Sequence, residues 1–268
     1  MESKFSQEVN KFGKKDGILA LGVCLLSIFL VAIPSAVRNA GFPMPLFAVR
    51  IIEYIPIVII IVIVLCKKQG FASIGLHKEK LWSAIRLGLL FSLITIVFNG
   101  IIPGIYGGFN QLTFASILSA FAISLLLATW EDILFVGFVT PRLYGLVKFG
   151  WIAIPIGAFL FALMHVPSWI MNDALYFGSW HYAWLSSLQF MRWCINHIFF
   201  FAIFKKYHSI VPVIIAHTIN NSVWDLVGNV SAPFGINNYW IIFNGAQLLA
   251  AGALFWHMHK KEKKTTAQ

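Results

Sequence analysis

The chain has 268 residues, of which 59% are hydrophobic and only 11% charged, with a formal net charge of +10 and a mean hydropathy of +0.80. That composition excludes a water-soluble globule, because there is too little polar surface to clothe one. The apolar residues gather in blocks near the ~20 residues that a helix needs to cross ~30 Å of hydrocarbon, which points to an all-α, polytopic integral membrane helix bundle.

Eight blocks follow in chain order. The first runs from Gly17 to Val37 and the second from Leu46 to Cys66, with Arg50 and Glu53 one turn apart at its leading edge, where they can pair. A basic amphipathic stretch from Phe71 to Trp82 is expected to lie along the interface. The third and fourth spans share an uncharged stretch from Leu87 to Trp130 that is too long for one crossing and is broken at Pro103-Gly104 and Gly107-Gly108. The fourth continues through Glu131 and Asp132 towards Pro141. The fifth covers Phe149 to Val166, the sixth Trp184 to Phe204, the seventh Ile210 to Trp224 and the eighth Tyr239 to Trp256. The whole of 1–268 reads as a single transmembrane domain.

Basic residues set the expected orientation, since cytoplasmic loops carry the Lys and Arg excess. Lys4, Lys11, Lys14 and Lys15 precede the first span, Lys67 to Arg86 follow the second, and Arg142 with Lys148 follow the fourth. Lys205 and Lys206 follow the sixth, and Lys260 to Lys264 the eighth, whereas the alternate loops hold little beyond Arg38, Arg50, Asp173 and Asp225. Both termini are therefore expected in the cytoplasm. The net charge reads as retention signals and contacts with anionic lipid, with no nucleic-acid partner. No cleavable secretory signal is apparent, because the first block is too long and lacks a small-residue cleavage pattern. Cys24, Cys66 and Cys194 have no CxxC spacing, so neither a disulfide framework nor a zinc ribbon is suggested.

Function is sought where a span tolerates an ionisable residue, each costing roughly 2.5–3.5 kcal/mol. The fourth span carries Glu131 and Asp132, the fifth His165, the sixth Arg192, Asn196 and His197, and the seventh His217 and Asn221. At about 1.5 Å of rise per residue, Glu131 lies roughly 15 Å deep, His165 roughly 24 Å and His217 to Asn221 roughly 10–16 Å, depths that can converge on one cavity. His217 and Asn221 are four apart and share a helix face, as do Phe161 and His165. Glu131 and Asp132 point about 100° apart, so one can face the cavity while the other braces a neighbouring helix. A carboxylate, two imidazoles and a carboxamide around a buried water make a hydrolytic set, with the Glu taking a proton from water and His and Asn holding it or donating to an oxyanion. Asn220, about 100° round the helix from Asn221, is left outside that set. Asn196 and His197 read as interhelical hydrogen-bonding groups. His77, His208, His257 and His259 read as solvated span-end residues, and His181 as part of an interfacial aromatic belt.

Three segments resemble the three motifs of the CAAX protease and bacteriocin-processing (CPBP) family of intramembrane proteases: Glu131-Asp132-Ile-Leu-Phe-Val136 for Glu-Glu-xxx-Arg, Phe161 to His165 for Phe-xxx-His, and His217 to Asn221 for His-xxx-Asn. They stand in the family's order on separate spans, within a core drawn at 115–230. The resemblance implies a glutamate-dependent endopeptidase in which Glu131 is the general base, His165 helps position the water, and His217 with Asn221 walls the scissile carbonyl. It implies a peptide or membrane-protein substrate and a multi-pass place in the cell membrane, expected to be a bacterial plasma membrane. The sequence has no HExxH pair; two His and a Glu can in principle bind zinc, but the metal-free reading is favoured and no cofactor is expected.

Two positions depart from the pattern. Asp132 stands where the family has a second Glu, and Val136 where it has Arg. Arg192 is the candidate substitute cation, bracing the fourth span through Asp132; the alternative is that it snorkels or binds Asn196. The loss of the motif arginine also keeps a second function class open: a non-catalytic relative that works by binding a membrane partner such as a sensor kinase or envelope enzyme, or in bacteriocin immunity. A transporter is the third class, and it lacks the paired broken helices and internal repeat expected of one.

Overall fold

The structure is a computed structural model that describes residues 4–42, 44–77, 81–109, 112–171, 180–227 and 235–266. It is helical throughout, with no strand among the described residues beyond one isolated bridge between Phe109 and Val227. This is what hydrocarbon demands of an open chain, since a helix satisfies its own backbone groups where water cannot. Among the described residues six helices are long and apolar enough to cross a membrane: Lys14–Arg38, Phe47–Cys66, Leu81–Ile101, Phe114–Leu143, Gly150–Pro167 and Ile241–Lys260. The expected sixth and seventh spans are helices too, α9 (Trp180–Tyr207) and α10 (Val211–Leu226), but neither is among those six. Leu25, Phe29, Leu89, Phe159 and Leu249 are among the many large apolar side chains left exposed along these helices, as a lipid-facing surface requires. The protein is a multi-pass helical membrane protein.

The chain clusters into two compact units. One comprises Met1–Phe5, Ile74–Asp132 and Ile198–Gln268; the other comprises Ser6–Ser73 and Ile133–His197.

In the first unit, α10 packs against both α4 (Leu81–Thr95) and α6 (Phe114–Asp132). Small residues make this close approach feasible. Along α4, Ala84, Gly88 and Ser92 are buried at intervals of four, and a Cβ on Gly88 would lie 2.7 Å from Ile215 Cβ. Along α6 the same spacing is taken by Ala120, Ser124 and Ala128. Small residues every fourth position let helix backbones meet where no hydrophobic force separates protein from lipid. Past α4 the chain loosens into a π-helical turn, Ile96–Ile101, and a short α5, Ile102–Gly107. It breaks at Gly108, whose φ of +77° suits a residue without Cβ. That is the interruption expected from Pro103-Gly104 and Gly107-Gly108. Helix α11 (Gly235–Thr266) packs on α4 and the π-helical turn.

In the second unit, α2 (Lys14–Asn39) packs on α3 (Leu46–Cys66) and α8 (Gly150–Met171). Arg50 and Glu53 form the ion pair expected from their spacing. A second π-helical segment, Ile133–Val139, follows Asp132 directly, every residue of it buried, and leads into α7 (Thr140–Leu143). Arg142, read from sequence as a loop cation, is instead only 1% exposed. Its guanidinium donates to Gln69 Oε1 at 2.6 Å and to the Phe138 carbonyl at 3.2 Å, and it lies over the rings of Phe12 and Phe138. A delocalised cation with fixed donors and aromatic faces on either side can be buried where an ammonium could not.

The stretch after α3 opens with a 3-10 turn, Phe71–Ile74, whose Ser73 and Ile74 are buried while Phe71, Leu81 and Trp82 are exposed; residues 78–80 lie outside the described residues. One further expectation needs correction. His208, expected among solvated span-end histidines, is buried against the rings of Phe5, Phe204 and His77, because the short helix α1 (Lys4–Val9) brings Phe5 into the first unit. Asp173 and the side chain of His181 lie outside the described residues.

Candidate active site

The carboxylates arise at the last turn of α6. Trp130, Glu131 and Asp132 are all buried there, with Asp132 fully inaccessible. Opposite stands His217, at mid-length of α10 and 4% exposed. Its Nδ1 donates to Asp132 Oδ1 at 3.1 Å, and its Nε2 stands 3.7 Å from Glu131 Oε2. Glu131 and Asp132, expected to diverge towards different partners, thus meet the two nitrogens of one ring. The imidazole reconciles the geometry: its nitrogens leave on different edges, and the longer glutamate reaches the farther one. The Phe200 ring packs beside the imidazole at 4.7 Å between centroids, closing off that side with an apolar face.

The Asp132 bond fixes the proton on Nδ1, so Nε2 is the atom turned towards Glu131. The 3.7 Å separation is an ion-pair distance, too long for a direct hydrogen bond. Asp132 Oδ2 is buried with no hydrogen-bond partner among the described residues. Asn221, one turn beyond His217, is half-buried on the same helix. Asn220, left aside in the sequence reading, is buried and hydrogen-bonded to Asn99 and Asn221. The signal that could have found it is Asn99, a buried amide in an otherwise apolar segment.

His165 belongs to the second unit, on α8. It is half-buried, donates from Nδ1 to the Phe161 carbonyl at 3.0 Å, and stacks on Trp193 at 4.4 Å with rings 20° apart. The Phe-xxx-His spacing therefore has a local meaning, since the residue four earlier supplies the carbonyl that fixes the tautomer. Neighbouring His197 shares a hydrogen bond of 2.9 Å with Thr140 Oγ1 and stacks on Phe161, the interhelical role expected of it. Gly157 makes that possible, because a Cβ there would lie 2.9 Å from Thr140 Cγ2. Arg192 is buried on α9 and Val136 is buried in the π-helical segment, both in this unit.

Zinc was the alternative that the residue types left open. Among the described residues no three His, Cys, Asp or Glu side chains gather in a set that could hold a metal ion, and His217 Nδ1 is already committed to Asp132.

The described residues thus place two buried carboxylates against the two nitrogens of one imidazole inside a helical membrane bundle. The family model described as Type II CAAX prenyl endopeptidase Rce1-like matches residues 113–223, in agreement with the resemblance carried by the three motifs. That span holds Glu131, Asp132, His165, Arg192, His217 and Asn221, and the family is one of CAAX proteases, so the match supports an intramembrane protease. No curated protein and no solved structure matches the chain.

Proposed function

We propose that the protein is a glutamate-dependent intramembrane endopeptidase that hydrolyses a peptide bond in a peptide or membrane-protein substrate. The observation that carries this is the convergence of the buried Glu131 and Asp132 carboxylates on the two nitrogens of His217. A merely structural bundle has no need of three ionisable groups at one point in hydrocarbon.

Glu131 takes a proton from water as the oxygen attacks the scissile carbonyl, and returns that proton to the amine as the C–N bond breaks. The products are a carboxylate and a free amine, with one water consumed. His217, oriented by Asp132, holds the Glu131 side of the site in register. Asn221 offers an amide donor to the oxygen that becomes negative, and His165 orients the water through Nε2. Asp132 has a structural part, as a second carboxylate that never meets the substrate. Arg192 is assigned a bracing role on α9 that does not run through Asp132 as expected, since Asp132 Oδ1 accepts from His217 and its Oδ2 has no hydrogen-bond partner among the described residues. No cofactor is assigned.

The experiment compares peptides released by cells with the protein, without it, and with Glu131→Gln. Losing a general base should lower release of the affected peptide by about 10²–10⁴-fold at unchanged membrane abundance. Full release with Glu131→Gln would overturn the protease reading and favour a binding protein, the reading that Val136 also suggests.

A further inference from the structure

A line of amides runs from the π-helical turn to the candidate site, with a consistent donor-to-acceptor direction. Asn99 Nδ2 donates to Asn220 Oδ1 at 2.9 Å, and Thr95 Oγ1 donates to the same oxygen at 3.4 Å. Asn220 Nδ2 then donates to Asn221 Oδ1 at 3.4 Å. Thr95, Asn99 and Asn220 are all buried. A carboxamide has one acceptor oxygen and one donor nitrogen, so occupying its oxygen with two donors leaves only the nitrogen to face the next group. Asn221 receives that nitrogen on its oxygen, which leaves Nδ2 as the group its amide can offer to a further partner.

We propose that Asn220, held by Asn99 and Thr95, is a positioning residue that fixes the amide of Asn221 so that Nδ2, not the carbonyl oxygen, is presented to the substrate. The inference rests on the hydrolytic reading above, in which Asn221 meets a developing oxyanion. An amide free to turn over would offer its oxygen to that negative charge half the time, and preorganised donors are what such a site requires. The local backbone serves the same end. The i to i+5 winding of Ile96–Ile101 breaks the register of α4 at Asn99, and π-helical turns recur at functional sites. Gly100 lets α10 come close, since a Cβ there would lie 2.9 Å from Val223 Cγ1. Interhelical amide contacts also act as glue in membranes, but glue needs no fixed polarity along the chain of bonds.

The test uses the full-length protein and a synthetic peptide spanning the cleavage site that the Glu131→Gln comparison identifies. Asn221→Ala should lower kcat by about 10²–10³-fold, the usual effect of losing one oxyanion donor. Asn220→Ala should lower kcat by about 10–10²-fold with KM unchanged, the cost of a misplaced group. In the Asn221→Ala background, Asn220→Ala should have no further effect, because its influence passes through the missing amide. Asn99→Ala should follow Asn220→Ala in direction with a smaller loss, since Thr95 still donates. If the losses at 220 and 221 multiply, or if Asn220→Ala changes only thermal stability in detergent, Asn220 is glue and the inference falls while the protease reading stands. Should Asn220→Ala not reach the membrane, Thr95→Val with Asn99→Ala makes the same comparison against Asn221→Ala. If no peptide depends on Glu131, the protease reading itself fails and takes this inference with it.

Discussion

The first unit secures its histidine with charge, whereas the second secures one with shape. His217 is buried, bonded through Nδ1 to Asp132 and faced by Glu131 at Nε2. His165 is half-buried, bonded to its own helix at the Phe161 carbonyl and stacked on the Trp193 indole. Both environments fix a tautomer with the proton on Nδ1, yet they do so at different cost. A side chain bonded across helices belongs to the packing of the bundle, so removing it orphans buried partners. One bonded within its own turn and leaning on an aromatic face can be lost while the bundle stays intact. Structural and chemical roles should therefore separate between the two histidines even though both stand in segments that resemble motifs of the same family.

The sharpest way to break that comparison is His217→Ala. It should cost activity by at least ~10²-fold, as loss of a group that orders the general base. It should also destabilise the protein, because leaving a buried acceptor such as Asp132 Oδ1 unmet costs about 1–3 kcal/mol. Thermal unfolding in detergent, run beside peptide release, reads both quantities. An unchanged unfolding temperature would mean that Asp132 finds another partner and that the pair is no part of the packing.

His165→Ala comes next. Activity should again fall by about 10²-fold if the ring orients the water, but stability should change by only ~0.5–1.5 kcal/mol, the range of one aromatic contact. Equal destabilisation by the two alanine variants would erase the distinction drawn between the units.

Much of this architecture was legible in the chain because hydrocarbon imposes strong rules on composition. The second span is a helix over Leu46–Cys66, as the block predicted, and the break between the third and fourth spans falls at Gly108, as the glycines predicted. The residues of the three motifs were equally visible, since an ionisable group inside an apolar run stands out. What composition does not carry is the direction of side chains within a span. Glu131 and Asp132 looked divergent on an ideal α-helix, and nothing in their spacing told that one imidazole meets both. Arg142 looked like a loop cation because it follows Pro141; its partners Gln69 and Phe12 lie far away in sequence. The small-residue stripes, Ala84-Gly88-Ser92 and Ala120-Ser124-Ala128, were present to be read, but they look like ordinary apolar composition until α10 is seen to pack on both.

The smallest expected effect comes from Trp193, which tests how the second unit holds His165. The ring's restraints include the bond to the Phe161 carbonyl, an edge contact with the Phe161 ring at 5.0 Å and the stack on the indole, and of these the bond sets the tautomer. Trp193→Leu keeps apolar volume but removes the aromatic face, so Nε2 should remain an acceptor while the ring gains freedom to tilt. Losing an interaction worth ~0.5–1.5 kcal/mol corresponds to a fall of about two- to ten-fold in activity if all of it is used to orient the ring. Trp193→Phe should restore most of that loss, because a phenyl ring still stacks, whereas Leu cannot. The dependence should show in kcat rather than KM, since a tilted imidazole misplaces the water and not the substrate. Identical rates for the Leu and Phe variants would show that stacking on the indole is incidental and that the contacts with Phe161 hold the ring without it.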